Sequence, residues 1–222
     1  MGVRKVWRIG FCVGIAFLIL GCDEVEDAID GVRGSGNVIA EERNVSGFEE
    51  IVVLGSGDVL VSVTGTESLM IEAEDNIMPL LTTEVKNGRL ELGSESSFSS
   101  TKGITYTITA ATLDGVEING SGDIEANGIE SGGFLVRISG SGDVDADGVT
   151  TTLDVGISGS GKFEGEGLVA SVGDVTISGS GSAVVNVTDV LEAEVSGSGR
   201  IEYIGDPQLD ANTSGSGSIS RR

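Results

Sequence analysis

The carboxylate pattern with the clearest chemistry is Asp143-Val144-Asp145-Ala146-Asp147-Gly148, which has the D-x-D-x-D-G spacing of calcium-binding loops. Asp154 falls at the twelfth position, where a carboxylate closes such loops. Glu125 belongs to a near-copy of the motif that lies about 20 residues earlier. The candidate calcium ligands are therefore Asp143, Asp145, Asp147, Asp154 and Glu125.

The same motif has a second interpretation, because its aspartates alternate with apolar residues. Alternation of this kind is typical of a β-strand with one buried face, and a strand does not wrap around an ion as a loop does. On stacked strands, calcium would instead bridge the carboxylates of successive repeats, such as Glu125, Asp145 and Glu164. Calcium is the one cofactor that the sequence suggests, and no other cofactor is predicted.

Enzymatic chemistry has few candidate residues in this sequence. The chain has no histidine, which removes the usual catalytic triads and the commonest metal ligand. Arg137 and Lys162 lie about one repeat apart near Asp143 and Glu164, so a carbohydrate-active β-helix enzyme, a polysaccharide lyase or hydrolase, is the alternative function. We interpret these four residues as charged positions on exposed strands, and we predict that the protein is not an enzyme.

These candidate residues belong to a repeat that is centred on the triplet Gly-Ser-Gly. The triplet begins at residues 34, 55, 120, 140, 159, 179, 197 and 215, so all but one of the steps are close to 20 residues. A fixed period of this length indicates a solenoid, in which each repeat is one coil. Apolar and polar residues alternate on both sides of the triplet. The pattern predicts an all-β fold, a right-handed parallel β-helix whose coils contain a strand, a corner, a second strand and a variable return.

The glycines of the triplets are predicted to form the corners between strands. A sharp corner needs a positive φ, which glycine adopts without steric cost, and a side chain there would crowd the corners above and below. The serine between the glycines is predicted to hydrogen-bond along the stack through its hydroxyl. The predicted corner glycines are Gly120, Gly122, Gly140, Gly142, Gly159, Gly161, Gly179 and Gly181.

The folded part divides into a less regular β section over residues 34–110 and regular repeats over residues 111–222. Residues 58–119 lack the triplet, although apolar and polar residues still alternate there. Asn87-Gly88 predicts a two-residue β-hairpin turn, and Met78-Pro79-Leu80 interrupts any strand. The section is either a degenerate part of the solenoid or an inserted antiparallel element.

The first 21 residues are predicted to be a lipoprotein signal peptide. Basic residues precede an apolar run over residues 11–20, which is shorter than the ~20 residues that span a bilayer. The run ends in Ile19-Leu20-Gly21-Cys22, which resembles a bacterial leader that is cut before a cysteine that becomes lipid-modified. An ordinary signal peptide is the alternative. Cys12 lies in the leader, so Cys22 would be the only cysteine of the mature chain and its lipid anchor.

The net charge of the chain excludes some classes of binding partner. The chain has 13 basic and 35 acidic residues, a net charge of −22, and cleavage after residue 21 would remove three basic residues and leave −25. Such a surface repels nucleic acid and anionic lipid heads, and it attracts divalent cations or basic partners. We predict no nucleic-acid partner. Residues 22–33 are predicted to form an acidic tether to the membrane.

Several separated motifs resemble one bacterial family. The segment VSGFEEI at residues 45–51, the Gly-Ser-Gly-Asp-Val repeats and YIGDP at residues 203–207 occur in the order typical of the family described as "putative auto-transporter adhesin, head GIN domain". The similarity extends over roughly residues 38–220. It implies a β-solenoid on the bacterial cell envelope with an adhesin-like role, and the family brings no catalytic residues.

We therefore predict a lipid-anchored envelope protein that acts as a non-enzymatic binding or structural module. Its predicted partners are the membrane, through the anchor at Cys22, and an envelope protein or a glycan. The lipoprotein leader favours the outer membrane over the inner membrane. Asp23, directly after Cys22, resembles the signal that retains some lipoproteins on the inner membrane, so both locations stay open.

Overall fold

The computed structural model describes residues 31–222. The predicted signal peptide, Cys22 and most of the predicted tether lie outside the described residues. The tether's last residues form a short strand, β1, that pairs in parallel with β8. The strands of the N-terminal section are β1 (Val32–Arg33), β2 (Val38–Arg43), β3 (Glu50–Gly55), β4 (Asp58–Val63), β5 (Ser68–Glu74), β6 (Leu81–Lys86), β7 (Arg89–Ser94), β8 (Phe98–Ser99) and β9 (Thr105–Ala110).

The regular section is a stack of long, bent strands that pair in parallel, so the predicted β-solenoid is confirmed. Equivalent residues of successive coils stand side by side, as with Ile138, Ile157 and Ile177. The right-handed sense of the coil stays a prediction. The strands are β10 (Gly115–Gly120), β11 (Asp123–Gly140), β12 (Asp143–Gly159), β13 (Lys162–Gly179), β14 (Ser182–Gly197), β15 (Arg200–Ile204), β16 (Gln208–Gly215) and β17 (Ser218–Arg221).

The triplets divide each coil into two main faces. We call the residues that follow a triplet the post-corner face; it contains β4, the first parts of β11 to β14, β15 and β17. The residues that precede a triplet form the pre-corner face, which contains β3, β10, the last parts of β11 to β14, and β16. The return between the faces is also paired in parallel, with a register shift in each coil pair.

The interior consists of columns of aliphatic side chains, as the period-2 pattern predicts. On the pre-corner face, Val136, Val155 and Val175 form one column, and each is fully buried. Burial of one such side chain contributes roughly 1.5–3 kcal/mol relative to leaving it exposed, so the stack gains this free energy at every coil. Thr150 is the polar exception on the return; its hydroxyl donates to the Thr152 carbonyl at 3.0 Å.

The N-terminal section combines the two alternatives that the sequence left open. β7 and β9 stack in parallel beneath β3 and β4, which makes them a degenerate coil without a triplet. β2, β5 and β6 add antiparallel strands outside that coil. The predicted hairpin joins β6 to β7 with φ of +53° at Asn87 and +79° at Gly88. A 3-10 helix over Met78–Leu80 interrupts the strands where predicted.

The first triplet, residues 34–36, does not form a stacked corner. The repeat pattern predicts Val38 and Ala40 as inward residues, and this prediction is wrong because both are exposed on β2, at the antiparallel edge of the sheet. The triplet instead contacts the sequence Glu74-Asp75-Asn76. The Gly36 N–H donates to Glu74 Oε1 at 2.8 Å, and the Ser35 N–H donates to Asn76 Oδ1 at 2.9 Å.

Glu74 is inaccessible to solvent and forms no ion pair within the described residues. Its carboxylate accepts hydrogen bonds from the Thr101 hydroxyl, the Ser100 hydroxyl and the backbone N–H groups of Thr101 and Gly36. These bonds, that of the Thr101 hydroxyl first, lower the pKa of Glu74 to about 2 against the opposing effect of burial. The carboxylate thus joins the first triplet to the loop after β8.

Glu74 should make the stability of the protein depend on pH in the acid range. Because its folded-state pKa is lowered from 4.5 to about 2, its contribution is complete above about pH 4.5 and is lost as pH falls through about 2. We expect Glu74→Gln to lower the melting temperature at pH 7 and to reduce the slope of melting temperature against pH between pH 4.5 and 2. Glu72→Gln, an exposed residue on the same strand, is the control, and an equal slope in both variants would contradict the assignment.

Candidate functional site: the corners and the post-corner face

The two glycines of each stacked triplet have different roles. The first glycine has a positive φ, between +114° and +151°, a region that other residues rarely adopt. The second glycine lacks such a φ in most triplets, but an added Cβ would lie within 3.0 Å of the carbonyl oxygen of the corner below. The predicted corner glycines of the first kind are Gly120, Gly140, Gly159 and Gly179, and those of the second kind are Gly122, Gly142, Gly161 and Gly181.

The serine of each triplet forms the hydrogen bond between corners. Its backbone N–H donates to the carbonyl of the first glycine in the preceding corner at 2.8–3.0 Å, as Ser141 does to Gly120. The prediction assigned this role to the serine hydroxyl, whereas the backbone performs it. The donors in order along the stack are Ser121, Ser141, Ser160, Ser180, Ser198 and Ser216.

Acidic side chains are stacked in register on the post-corner face. Glu125, Asp145 and Glu164 form the central column, on neighbouring strands about 4.8 Å apart. Two cations neutralise part of this surface, since Lys162 forms an ion pair with Glu164 and Arg222 forms one with Glu166. We call this surface the acidic face, and its carboxylates are Asp58, Asp123, Asp143, Glu125, Asp145, Glu164, Asp147 and Glu166.

The predicted calcium ligands divide between the two faces. Asp143, Asp145 and Asp147 point outward from the first part of β12, and Glu125 lies beside Asp145 on the neighbouring coil. The Asp143 N–H donates to Asp123 Oδ1 at 2.9 Å. The residues therefore do not form the calcium-binding loop that their spacing suggested. The carboxylates are stacked on successive coils, as the second interpretation predicted.

Asp154 lies on the pre-corner face, where it binds Arg137 through two hydrogen bonds. Arg137 donates from Nη1 to Oδ1 at 2.9 Å and from Nη2 to Oδ2 at 2.7 Å. This contact raises the pKa of Arg137. No group of three or more Asp, Glu, Cys or His side chains within residues 31–222 is arranged to hold a metal ion, and calcium binding stays a prediction.

The residues considered for catalysis are also separated. Arg137 lies on the pre-corner face, and Lys162 lies on the post-corner face beside Asp143. Arg137 pairs with Asp154, and Lys162 pairs with Glu164, so each cation is neutralised by a neighbouring carboxylate. The four residues do not form one cluster.

The comparisons with known proteins agree with this architecture. The family model described as "putative auto-transporter adhesin, head GIN domain" matches residues 47–207. The chain belongs to this family. A search of the curated proteins returned no match.

The head GIN domain is similar to several solved structures. A protein of Bacteroides fragilis, described as a "putative adhesin", is 25% identical with a TM-score of 0.71, and the match covers 86% of this chain and 100% of that one. A "putative adhesin" of Parabacteroides merdae is 18% identical with a TM-score of 0.57, covering 87% and 99%. A "putative lipid binding protein" of Parabacteroides distasonis is 21% identical with a TM-score of 0.51, covering 86% and 99%. The last two show the shared fold.

Neutralising the centre of the acidic face should stabilise the head GIN domain. Asp145 stands between Glu125 and Glu164, and each like-charged neighbour in register costs roughly 0.2–1 kcal/mol. We expect Asp145→Asn to raise the melting temperature by about 1–4 °C at low salt, and the gain to shrink in ~1 M salt. Glu130→Gln is the control, because Glu130 faces Val149 in the next coil. A lower melting temperature for Asp145→Asn would contradict the repulsion.

Calcium binding can be tested with the same variants. If calcium bridges the stacked carboxylates, millimolar calcium should raise the melting temperature of the native chain relative to chelator, and Asp145→Asn should lose that rise. The Glu130→Gln control should keep it. An unchanged melting temperature in calcium would end the calcium hypothesis.

Proposed function

We propose that this head GIN domain protein is a lipid-anchored, non-enzymatic binding module of the bacterial cell envelope, with an adhesin-like role. Family membership is the observation that carries the proposal, because the family and the similar Bacteroides fragilis structure are described as putative adhesins. A rigid parallel solenoid presents flat, regularly spaced outer faces, which suits contact with another surface.

The proposed anchor rests on the sequence Ile19-Leu20-Gly21-Cys22, which lies outside the described residues. Within residues 31–222, no helix is long and apolar enough to cross a membrane. We expect the native chain to fractionate with membranes and Cys22→Ser to move to the soluble fraction. Cys12→Ser is the matched control, because that cysteine lies within the proposed leader. Release of neither variant would contradict lipid attachment at Cys22.

The proposed partner is an envelope protein or a glycan. We expect the immobilised full-length protein to retain glycans or envelope proteins without changing them chemically. The alternative, a carbohydrate-active enzyme, predicts shortened or unsaturated sugar products after incubation with polysaccharide. Mass spectrometry of the eluted glycan distinguishes the two, because retention of an intact glycan supports the binding module and product formation contradicts it.

A further inference from the structure

The ladder of corner hydrogen bonds stops at the triplet of residues 55–57. Six serine N–H groups in the later corners each bond to the glycine carbonyl of the preceding corner. The coil beneath residues 55–57 turns through residues 95–104 without a triplet, so it provides no equivalent carbonyl. The Ser56 N–H accordingly has no hydrogen-bond acceptor within the described residues.

A groove occupies the place where the missing corner would lie. Its volume is about 230 Å³, and its lining joins Gly55 and Ser56 to the edge of the coil beneath. An added Cβ at Gly55 would meet nothing within 4 Å, whereas an added Cβ at the equivalent Gly120 would overlap the corner below it. We call this cavity the open-corner groove; residues of the lower coil that line it are Ser94, Ser96, Ser97, Phe98 and Tyr106.

Tyr106 supplies a second donor without a protein partner. Its side chain is 2% exposed, and the ring packs closely against Gly57. Its hydroxyl forms no hydrogen bond within the described residues, and the hydroxyl oxygen keeps some contact with solvent. Burial raises the pKa of Tyr106 to about 12, so the hydroxyl keeps its proton at neutral pH.

The groove is free of charged side chains on a strongly acidic protein. Its lining combines serine hydroxyls with the apolar side chains of Leu54, Leu81 and Phe98. Hydroxyl donors and acceptors beside an aromatic ring match a small neutral ligand that has hydroxyl groups and an apolar C–H face. A charged ligand would leave its charge without an opposite partner in this groove.

We propose that the open-corner groove binds one neutral sugar residue, with a sugar oxygen accepting from the Ser56 N–H and the Tyr106 hydroxyl. The volume lies below the roughly 300–1,000 Å³ of pockets for drug-sized ligands, which fits a single sugar unit. The sugar is either a free hexose or the end of a glycan. This inference names a ligand class for the proposed binding module, and its biological use rests on that proposed function.

The test is a titration of the full-length protein with glucose, galactose, mannose and N-acetylglucosamine, observed by NMR of the backbone amides. We expect at least one sugar to shift the amides of Ser56 and residues 94–98 with a dissociation constant of about 1 mM. Tyr106→Phe should weaken that binding roughly tenfold and leave the melting temperature unchanged, because the lost hydroxyl has no protein partner. Tyr203→Phe, the only other tyrosine position, is the matched control and should bind as the native chain does.

Three outcomes overturn the inference. The first is the absence of shifts with all four sugars at roughly 20 mM, well above the expected dissociation constant. The second is equal binding by Tyr106→Phe and the native chain. The third is a lowered melting temperature of Tyr106→Phe, which would show that the hydroxyl has a structural partner.

Further measurements distinguish a glycan end from a free hexose as the ligand of the groove. They also distinguish failure of this inference from failure of the proposed adhesin-like function. A glycan end predicts tighter binding of a methyl glycoside or an oligosaccharide than of the free hexose, and a free-sugar site predicts the reverse. Adhesion of cells that display the protein is a separate readout. Loss of sugar binding in Tyr106→Phe with adhesion retained would support the groove and place the adhesive surface elsewhere, whereas sugar binding without any adhesion would contradict only the proposed function.

Discussion

Gly140→Ala is expected to remove about 3–5 kcal/mol from the free energy of unfolding. Gly140 has a φ of +137°, and a backbone strain of this kind costs a non-glycine residue roughly 1–3 kcal/mol. The added Cβ would also overlap the carbonyl oxygen of Gly120, and overpacking costs a further 1–3 kcal/mol or so. The overlap cannot relax through a side-chain rotation, because the opposing group is backbone held by the corner ladder.

Two matched variants distinguish the cost of the positive φ from the cost of the Cβ overlap. Gly142→Ala meets the same kind of overlap without the positive φ, so we expect a smaller loss than for Gly140→Ala. Gly132→Ala lies in open space without a positive φ and should change stability by less than about 1 kcal/mol. Chemical denaturation of the three variants measures the order. Equal stability of Gly140→Ala and Gly132→Ala would contradict the corner geometry.

Phe163→Ala is expected to cost about 3–5 kcal/mol, the usual range for a buried phenylalanine. Phe163 is fully buried in the column between Val144 and Ala183. Its ring also occupies the space that a side chain at Gly165 would take, since an added Cβ there lies 2.5 Å from the ring. Removal of the ring therefore leaves a cavity shared by two columns.

A double-mutant cycle tests this shared space. Gly165→Ala should destabilise the native chain, whereas the same change should cost less in the Phe163→Ala background, where the ring is gone. Val169→Ala, on a side chain that is 37% exposed, is the control and should cost under about 1 kcal/mol. Additive losses of Phe163→Ala and Gly165→Ala would show that the two positions do not share space.

The regular section was predictable because its repeats carry the same information several times. Each coil places apolar residues at the same offsets from the triplet, so the inward columns through Val136 and Ile138 follow from sequence alone. The first triplet shows where this reasoning stops. Val38 and Ala40 have the same offsets, yet they lie on an antiparallel edge strand, because the side chains of Glu74 and Asn76 hold the segment there.

The candidate site was only partly predictable for a related reason. Register follows from the repeat, so the stacked carboxylates Glu125, Asp145 and Glu164 could be predicted as neighbours. The separation of Asp154 from Asp143 depends on the bend in β12, which spacing alone does not reveal. The alternation over residues 58–119 does not distinguish Tyr106 from its neighbours; the available signal was the 65-residue step from the triplet at residue 55 to the triplet at residue 120, which marks where the corner ladder is interrupted.

The local sequence pattern was sufficient to predict the coil, its corners and the inward columns, because backbone angles and period-2 burial depend on neighbours along the chain. The family resemblance followed from the same motifs. The pairing of Asp154 with Arg137 and the open-corner groove depend on how the coils bend and on which coils lie next to one another. Those contacts join residues that are tens of positions apart, such as Ser56 and Tyr106, and only the stacked tertiary structure brings them together.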